Sequence, residues 1–250
     1  EGQIYSWLVA KSAGLNVEIF DPNIWVNQVQ GPLSLKILDA ACGDNISERF
    51  RYFDIETVTI AGQKLIITRT GFTAEMGWEY YVSSETDCVL LWKHLMKVGK
   101  QFGLIHSGLD SMDIRRIEAG IMNSGSDFDL TMNPYQAGLG KFIDIHKADF
   151  TGRDALKNAK KEKLVMGLRC KTSEPMVLSE AIANNNHAGV ISAASWSPFL
   201  NCGIGYVRLN HSGHKCGEII EIHGVDGNVH EAELVELPFY DKAKKIPRGL

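Results

Sequence analysis

The feature that limits the fold most is a change of texture at Leu164. Beyond it, helical periodicity fades and short β-type runs alternate with glycine-bearing turns. Leu164–Cys170, Gly189–Ala193, Gly203–Leu209, Glu218–His223 and Asn228–Leu237 each have strand character, and the last two pair as a hairpin around Val225-Asp226-Gly227. Several short strands with turns of this kind point to a small antiparallel barrel or sandwich. Just upstream, the lysine-rich run Lys157–Lys163 reads as a solvated helix end joined to a linker. The chain is therefore expected to divide into residues 1–162, an α+β region, and residues 163–250, the β domain.

The first part mixes both element types. Ile4–Ala13 is apolar but of no clear type; Leu15–Phe20 alternates as a strand does until Asp21-Pro22 stops it. Ile24–Gln30 is a further predicted strand, and Leu33–Ala41 has helical spacing with Gly43 as its C-terminal cap. Arg51–Ile60 and Lys64–Thr70 form a predicted hairpin around Ala61-Gly62-Gln63. Ser84–Asp87 can cap a helix whose apolar stripe would be Val89, Leu90, Trp92, Leu95 and Met96. Ser107–Asp110 is a second capping signal, starting a helix with Leu109, Met112, Ile117 and Ile121 toward the core. Phe142–Ile145 is strand-like, and Phe150–Leu156 opens a short helix.

Between the predicted strands Lys64–Thr68 and Trp78–Val82 lies a loop with Gly71, Gly77 and the carboxylates Glu75 and Glu79. Glycines that take unusual backbone angles, aromatic neighbours and a fixed carboxylate suit a small flat ligand. A tight hairpin with merely solvated glutamates is the plainer alternative. On the later helix, Asp113 and Arg116 can meet at i, i+3, either as a surface pair worth under ~1 kcal/mol or with Arg116 free to grip a carboxylate bidentately.

Composition closes off several classes. A net charge of −4 gives no electrostatic footprint for nucleic acid or an anionic membrane, and no apolar run approaches the ~20 residues of a membrane span. Five scattered cysteines favour reduced thiols in a cytoplasmic setting over a disulfide framework. His211, His214 and Cys216 lack the partners of a zinc site, so no metal is expected. Gly138-Leu139-Gly140-Lys141 lacks the spacing of a phosphate loop, and there is no nucleophile elbow or dinucleotide fingerprint. The chain starts at Glu1, with no Met and no signal peptide; a processed chain or a piece of a longer one is the expectation.

Several stretches together resemble one family, the folate-binding aminomethyltransferases of the glycine cleavage system (T-proteins) and their relatives. Arg69–Glu79 resembles the family's Arg-Thr-Gly-Tyr-Thr-Gly-Glu-Asp-Gly-Phe-Glu motif, and Gly108–Gly120 its Gly-Leu-x-x-x-Asp-x-x-Arg-x-Glu-Ala-Gly helix. Asn133–Leu139 with Asp149–Gly152, Gly189–Val207, Leu237–Phe239 and Gln30-Gly31-Pro32 also match, in the family's order and over nearly the whole chain.

The resemblance implies a T-protein-like fold, a ferredoxin-like α/β unit followed by the barrel, and tetrahydrofolate as cofactor. Glu79 would hold the pterin edge, Arg116 would line the folate site, and Tyr240 would contribute from the C-terminal segment, although the family's more distal slot is lysine here. The implied reaction is tetrahydrofolate-dependent one-carbon transfer of the glycine-cleavage type, with a small-molecule donor and a lipoyl carrier protein as partner. Folate-dependent demethylation of dimethylsulfoniopropionate, dimethylglycine or sarcosine is an alternative. So is a non-catalytic folate-binding module, though the Lys-x-Cys-Tyr-x-Gly-Gln-Glu signature of that branch is absent. The family's catalytic Asp belongs to an N-terminal third with no counterpart here, so no catalytic residue is assigned. Gln136 for the usual Glu and Lys141 for an aromatic leave the donor open.

Overall fold

A computed structural model describes residues 2–171 and 174–250. The chain divides into two compact units, residues 1–71 with 75–105, and residues 72–74 with 106–250.

The first unit contains helix α1 (Gly2–Lys11), strand β1 (Trp25–Gln30), helix α2 (Ser34–Cys42), strands β2 (Ile55–Ile60), β3 (Gln63–Thr68) and β4 (Gly77–Val82), and helix α3 (Cys88–Gly99). The strands form an antiparallel sheet in the order β1-β4-β3-β2. Strand alternation sends Val29, Val58, Ile60, Leu65, Ile67, Trp78 and Val82 to one face, where they share a core with Ile37 and Leu38 of α2 and Leu91 and Leu95 of α3. A fully buried side chain of this size contributes about 1.5–3 kcal/mol.

Both helices end as the sequence dictates. Gly43 takes a left-handed φ of 68° and returns its N–H to Asp39 O, while the Asp87 side chain accepts from Leu90 N. The stripe on α3 differs from expectation. Leu91, Leu95 and Gly99 face the core at four-residue spacing, and Val89, Leu90 and Trp92 are exposed on the other side. Ile4–Ala13 is mostly the helix α1. Leu15–Phe20 is not a strand: Leu15, Val17 and Phe20 stay exposed, because alternation forms no ladder without a neighbouring strand.

The second unit contains α4 (Leu109–Glu118), α5 (Arg153–Asn158) and strands β5 (Val165–Cys170), β6 (Glu180–Ala183), β7 (Asn186–Ser197), β8 (Cys202–Leu209), β9 (Ile219–His223) and β10 (Val229–Val235). The six strands close as an antiparallel barrel in the order β10-β5-β8-β7-β6-β9. Strand β6 adds to the five expected. Its turn into β7 is Asn184-Asn185 with φ of 50° and 62°, the left-handed pair that a two-residue hairpin needs. Met166, Leu168, Ile191, Val207, Ile220, Ile222 and Leu234 are among the residues packed in the barrel core. At Gly189 a Cβ would lie 2.9 Å from Leu209 Cα, so glycine is what lets β7 approach β8.

Two other expectations change in this unit. Phe142–Ile145 is no strand: Phe142 closes a single 3-10 turn, Gly140–Phe142, and is exposed. Leu109, expected toward the core, is also exposed, because α4 turns Arg116, Ile117 and Glu118 inward instead.

Candidate functional site

Glu79 sits on the sheet face opposite the core. Register places Gln28, Glu79 and Thr68 side by side across β1, β4 and β3, with Val26, Tyr81 and Ile66 in the next row. The loop before β4 is built around Gln30. Its Nε2 donates to Thr70 O at 3.2 Å, and Cβ atoms on Gly71 or Gly77 would collide with its carboxamide. Neither glycine has a positive φ; the left-handed residue of the loop is Ala74, at 51°. The glycines therefore serve close approach to Gln30, not unusual backbone angles. Arg69, 8% exposed, is anchored through Nη1 to Phe50 O at 2.7 Å. Thr70 Oγ1 donates to Glu79 Oε2, and Glu79 is half-buried. Trp78, next to Glu79 in sequence, points the other way. Its indole is fully buried and Nε1 donates to Ser34 O at 2.9 Å.

The second unit carries Arg116 and Tyr240. Arg116 is only 4% exposed. Nε donates to Asp113 Oδ1 at 2.6 Å, and Nη1 donates to Asp127 and to Ile121 O. Burial works against its charge, but hydrogen bonds and the fields of Asp113 and Asp127 outweigh it and hold the guanidinium above its ordinary pKa. Asp127, with no exposure, also accepts from Asn123 N at 2.7 Å and Ser192 Oγ at 3.0 Å. Tyr206 of β8 donates to the end of α4, reaching Ile117 O at 2.9 Å; burial pushes its phenol well above the ordinary range. Arg116 thus ties α4 to the barrel wall. It is neither of the two arrangements expected: the Asp113 contact exists, but the guanidinium is sunk in a buried cluster.

Tyr240 packs on Phe199 with ring centroids 4.9 Å apart, and the Arg115 guanidinium lies 5.6 Å from the Tyr240 centroid. Arg115 is in turn paired with buried Glu118, which accepts from Ser197 Oγ. Lys244 donates Nζ to Ala119 O, and burial followed by the charge of Lys141 lowers its pKa.

Glu79 therefore lies in the first unit, and Arg116 and Tyr240 lie in the second. The threonines around Glu79 and the stacked Arg115 were missed in the sequence. Strand alternation could have found Thr68, which shares a face with Glu79; nothing local could have found the Arg115–Tyr240 stack, since 124 residues of chain lie between its two members. Among the described residues no group of three His, Cys, Asp or Glu could hold a metal ion, and no helix is long and apolar enough to cross a membrane. All five cysteines are free thiols.

Comparison with known proteins matches residues 1–147 to the GCVT N-terminal domain and residues 163–241 to the glycine cleavage T-protein C-terminal barrel domain. An aminomethyltransferase of Halothermothrix orenii is 35% identical over 215 residues, covering 84% of this chain and 59% of the relative. One from Caldanaerobacter subterraneus subsp. tengcongensis is 32% identical over 248 residues, covering 96% of this chain and 66% of the relative. The chain thus spans 59% and 66% of the lengths of these two relatives. The crystal structure of glycine cleavage system aminomethyltransferase T from Bartonella henselae shares the fold, with a TM-score of 0.83 at 21% identity over 96% of this chain and 66% of that one. With family models spanning both its mixed first part and its barrel, the chain belongs to the glycine cleavage T-protein family.

Proposed function

We propose that this chain takes part in tetrahydrofolate-dependent one-carbon transfer of the glycine-cleavage type, as an aminomethyltransferase. The observation that carries this is Glu79: a half-buried carboxylate on the non-core face of a sheet, with one oxygen held by Thr70. Among the described residues that is the one hydrogen bond its side chain receives, so Oε1 remains an acceptor for a ligand. A carboxylate acceptor of this kind fits the N–H donors of a reduced pterin. Tetrahydrofolate, when bound, supplies the nitrogen that accepts the one-carbon unit. The protein's part is to orient it, since holding two reactants together removes much of the entropic barrier.

Arg116 fits a direct ligand contact less well, because Nε and Nη1 are already committed to Asp113, Asp127 and Ile121. Its proposed role is to brace α4, with only Nη2 left for a ligand. Tyr240 is proposed as a further tetrahydrofolate-binding residue. No residue of this chain is assigned as general acid or base. The proposed donor is a small one-carbon compound, the proposed partner for the glycine-cleavage reaction is a lipoyl carrier protein, the proposed setting is the cytoplasm, and the proposed domain division is 1–162 and 163–250.

Calorimetric titration with tetrahydrofolate tests the reading. Saturable binding is expected, weakened in Glu79→Gln by ~1–3 kcal/mol, the cost of one lost hydrogen bond to a charged group. Absence of binding by the folded wild-type chain refutes it.

A further inference from the structure

Three hydroxyls form a line that ends on Glu79. Thr70 Oγ1 contacts Glu79 Oε2, Thr68 Oγ1 lies 2.6 Å from Thr70 Oγ1, and Tyr81 Oη lies 3.3 Å from Thr68 Oγ1. All four side chains belong to the first unit. Three of them, Thr68, Glu79 and Tyr81, are on neighbouring positions of β3 and β4, and Thr70 follows two residues after Thr68.

Counting protons fixes the direction of this chain. An ionised carboxylate only accepts, and each hydroxyl has a single proton to donate. Thr70 spends its proton on Glu79, so the Thr68–Thr70 contact is donated by Thr68. Thr68 has then spent its own, so the remaining contact is donated by Tyr81. All three protons point the same way, and aligned donors strengthen one another. The backbone beneath is pinned as well, since Gln30 donates to Thr70 O and is itself seated against Gly71 and Gly77.

We propose that Thr70, backed by Thr68 and Tyr81, is a positioning residue that fixes the Glu79 carboxylate as an acceptor and leaves Oε1 as the oxygen that meets the ligand. The class of ligand group selected is a neutral ring N–H or amino donor, and a group offering only lone pairs is refused. The ligand half of this inference rests on the function proposed above; the geometric half does not.

The test uses the full 250-residue chain with 13C-labelled glutamate, the Glu79 carboxyl resonance being assigned by its loss in Glu79→Gln. Without ligand at pH ~7, Thr70→Val is expected to move that resonance, whereas Thr70→Ser, which keeps the hydroxyl, returns it toward wild type. With tetrahydrofolate as the probe, Thr70→Val should weaken binding about tenfold, equivalent to ~1.4 kcal/mol. Thr70→Ser should stay within about twofold of wild type, and Tyr81→Phe, at the far end of the chain, should fall between the two. Thr70→Ala, which adds no bulk, replaces Thr70→Val if valine lowers the melting temperature.

An unmoved Glu79 resonance in a folded Thr70→Val or Thr70→Ala chain overturns the proposal, and so does a serine variant that fails to restore it. If wild type does not bind tetrahydrofolate, the functional reading falls and the resonance alone decides the positioning role.

Discussion

The buried Arg116 cluster makes a prediction whose size follows from burial alone. Replace Arg116 with methionine, which keeps most of the volume and removes the charge. Asp127 has no exposure, so its carboxylate would be left without a counter-charge, retaining only Asn123 N at 2.7 Å and Ser192 Oγ at 3.0 Å. Removing one partner of a buried pair costs about 3–5 kcal/mol, and the two surviving hydrogen bonds place this case near the lower figure, about 3 kcal/mol. The other partner provides an internal control. Asp113 has 53% of its side chain exposed, so Asp113→Asn should cost no more than about 1 kcal/mol. The assay is urea unfolding followed by 19F NMR of fluorotryptophan, in which Trp196 of β7 reports on the barrel unit separately from the other four tryptophans. A Trp196 transition no more shifted in Arg116→Met than in Asp113→Asn would refute the assignment of Arg116 as the brace between α4 and the barrel.

Three further outcomes follow from the same structure. Burial, followed by the nearby Asp39, pushes the Cys42 thiol up to about 11, so iodoacetamide at pH ~8 should label exposed Cys88 and Cys216 well before Cys42, as peptide mass spectrometry would show. The Thr131 hydroxyl, then Arg208, holds the Asp129 carboxyl down to about 2. A depressed carboxyl contributes stability above its unfolded value of 3.8 and loses it as pH falls through about 2, so Asp129→Asn should flatten the acid limb of unfolding in that window, measured by circular dichroism. Gly189→Ala should cost about 1–3 kcal/mol or more in thermal unfolding, because its methyl would meet the Arg208–Leu209 backbone, which cannot swing aside as a side chain can.

Most of the fold was legible because its signals are local. The Asp87 cap, Gly43 and the Ala61-Gly62 hairpin each act within a few residues, and each forms as the sequence indicates. What failed needed knowledge of neighbours. Leu15–Phe20 has the alternation of a strand but no partner, and β6 has four residues, too few for alternation to register. At the site, Glu79 was legible as a carboxylate in a glycine-bearing loop, but the reason for the glycines was not. Gln30 lies some forty residues earlier in the chain, and its seat between Gly71 and Gly77 exists only once β1 pairs with β4. Arg116 was visible as half of an i, i+3 pair; its deeper partner Asp127 lies beyond the helix and could not be paired with it from periodicity.

The two sheets also differ in how they would behave when partly unfolded or crowded. The barrel returns to its own first strand and presents no free row of amides and carbonyls, so it cannot template another chain. The first unit's sheet stops at β1 on one side and β2 on the other, and β1 carries Trp25 and Val26 at 53% and 51% exposure. An apolar outer strand of this kind is where edge-to-edge association begins. Colloidal losses during purification should therefore nucleate at β1, and a lysine in place of Val26 is the change that would suppress them while leaving the barrel untouched.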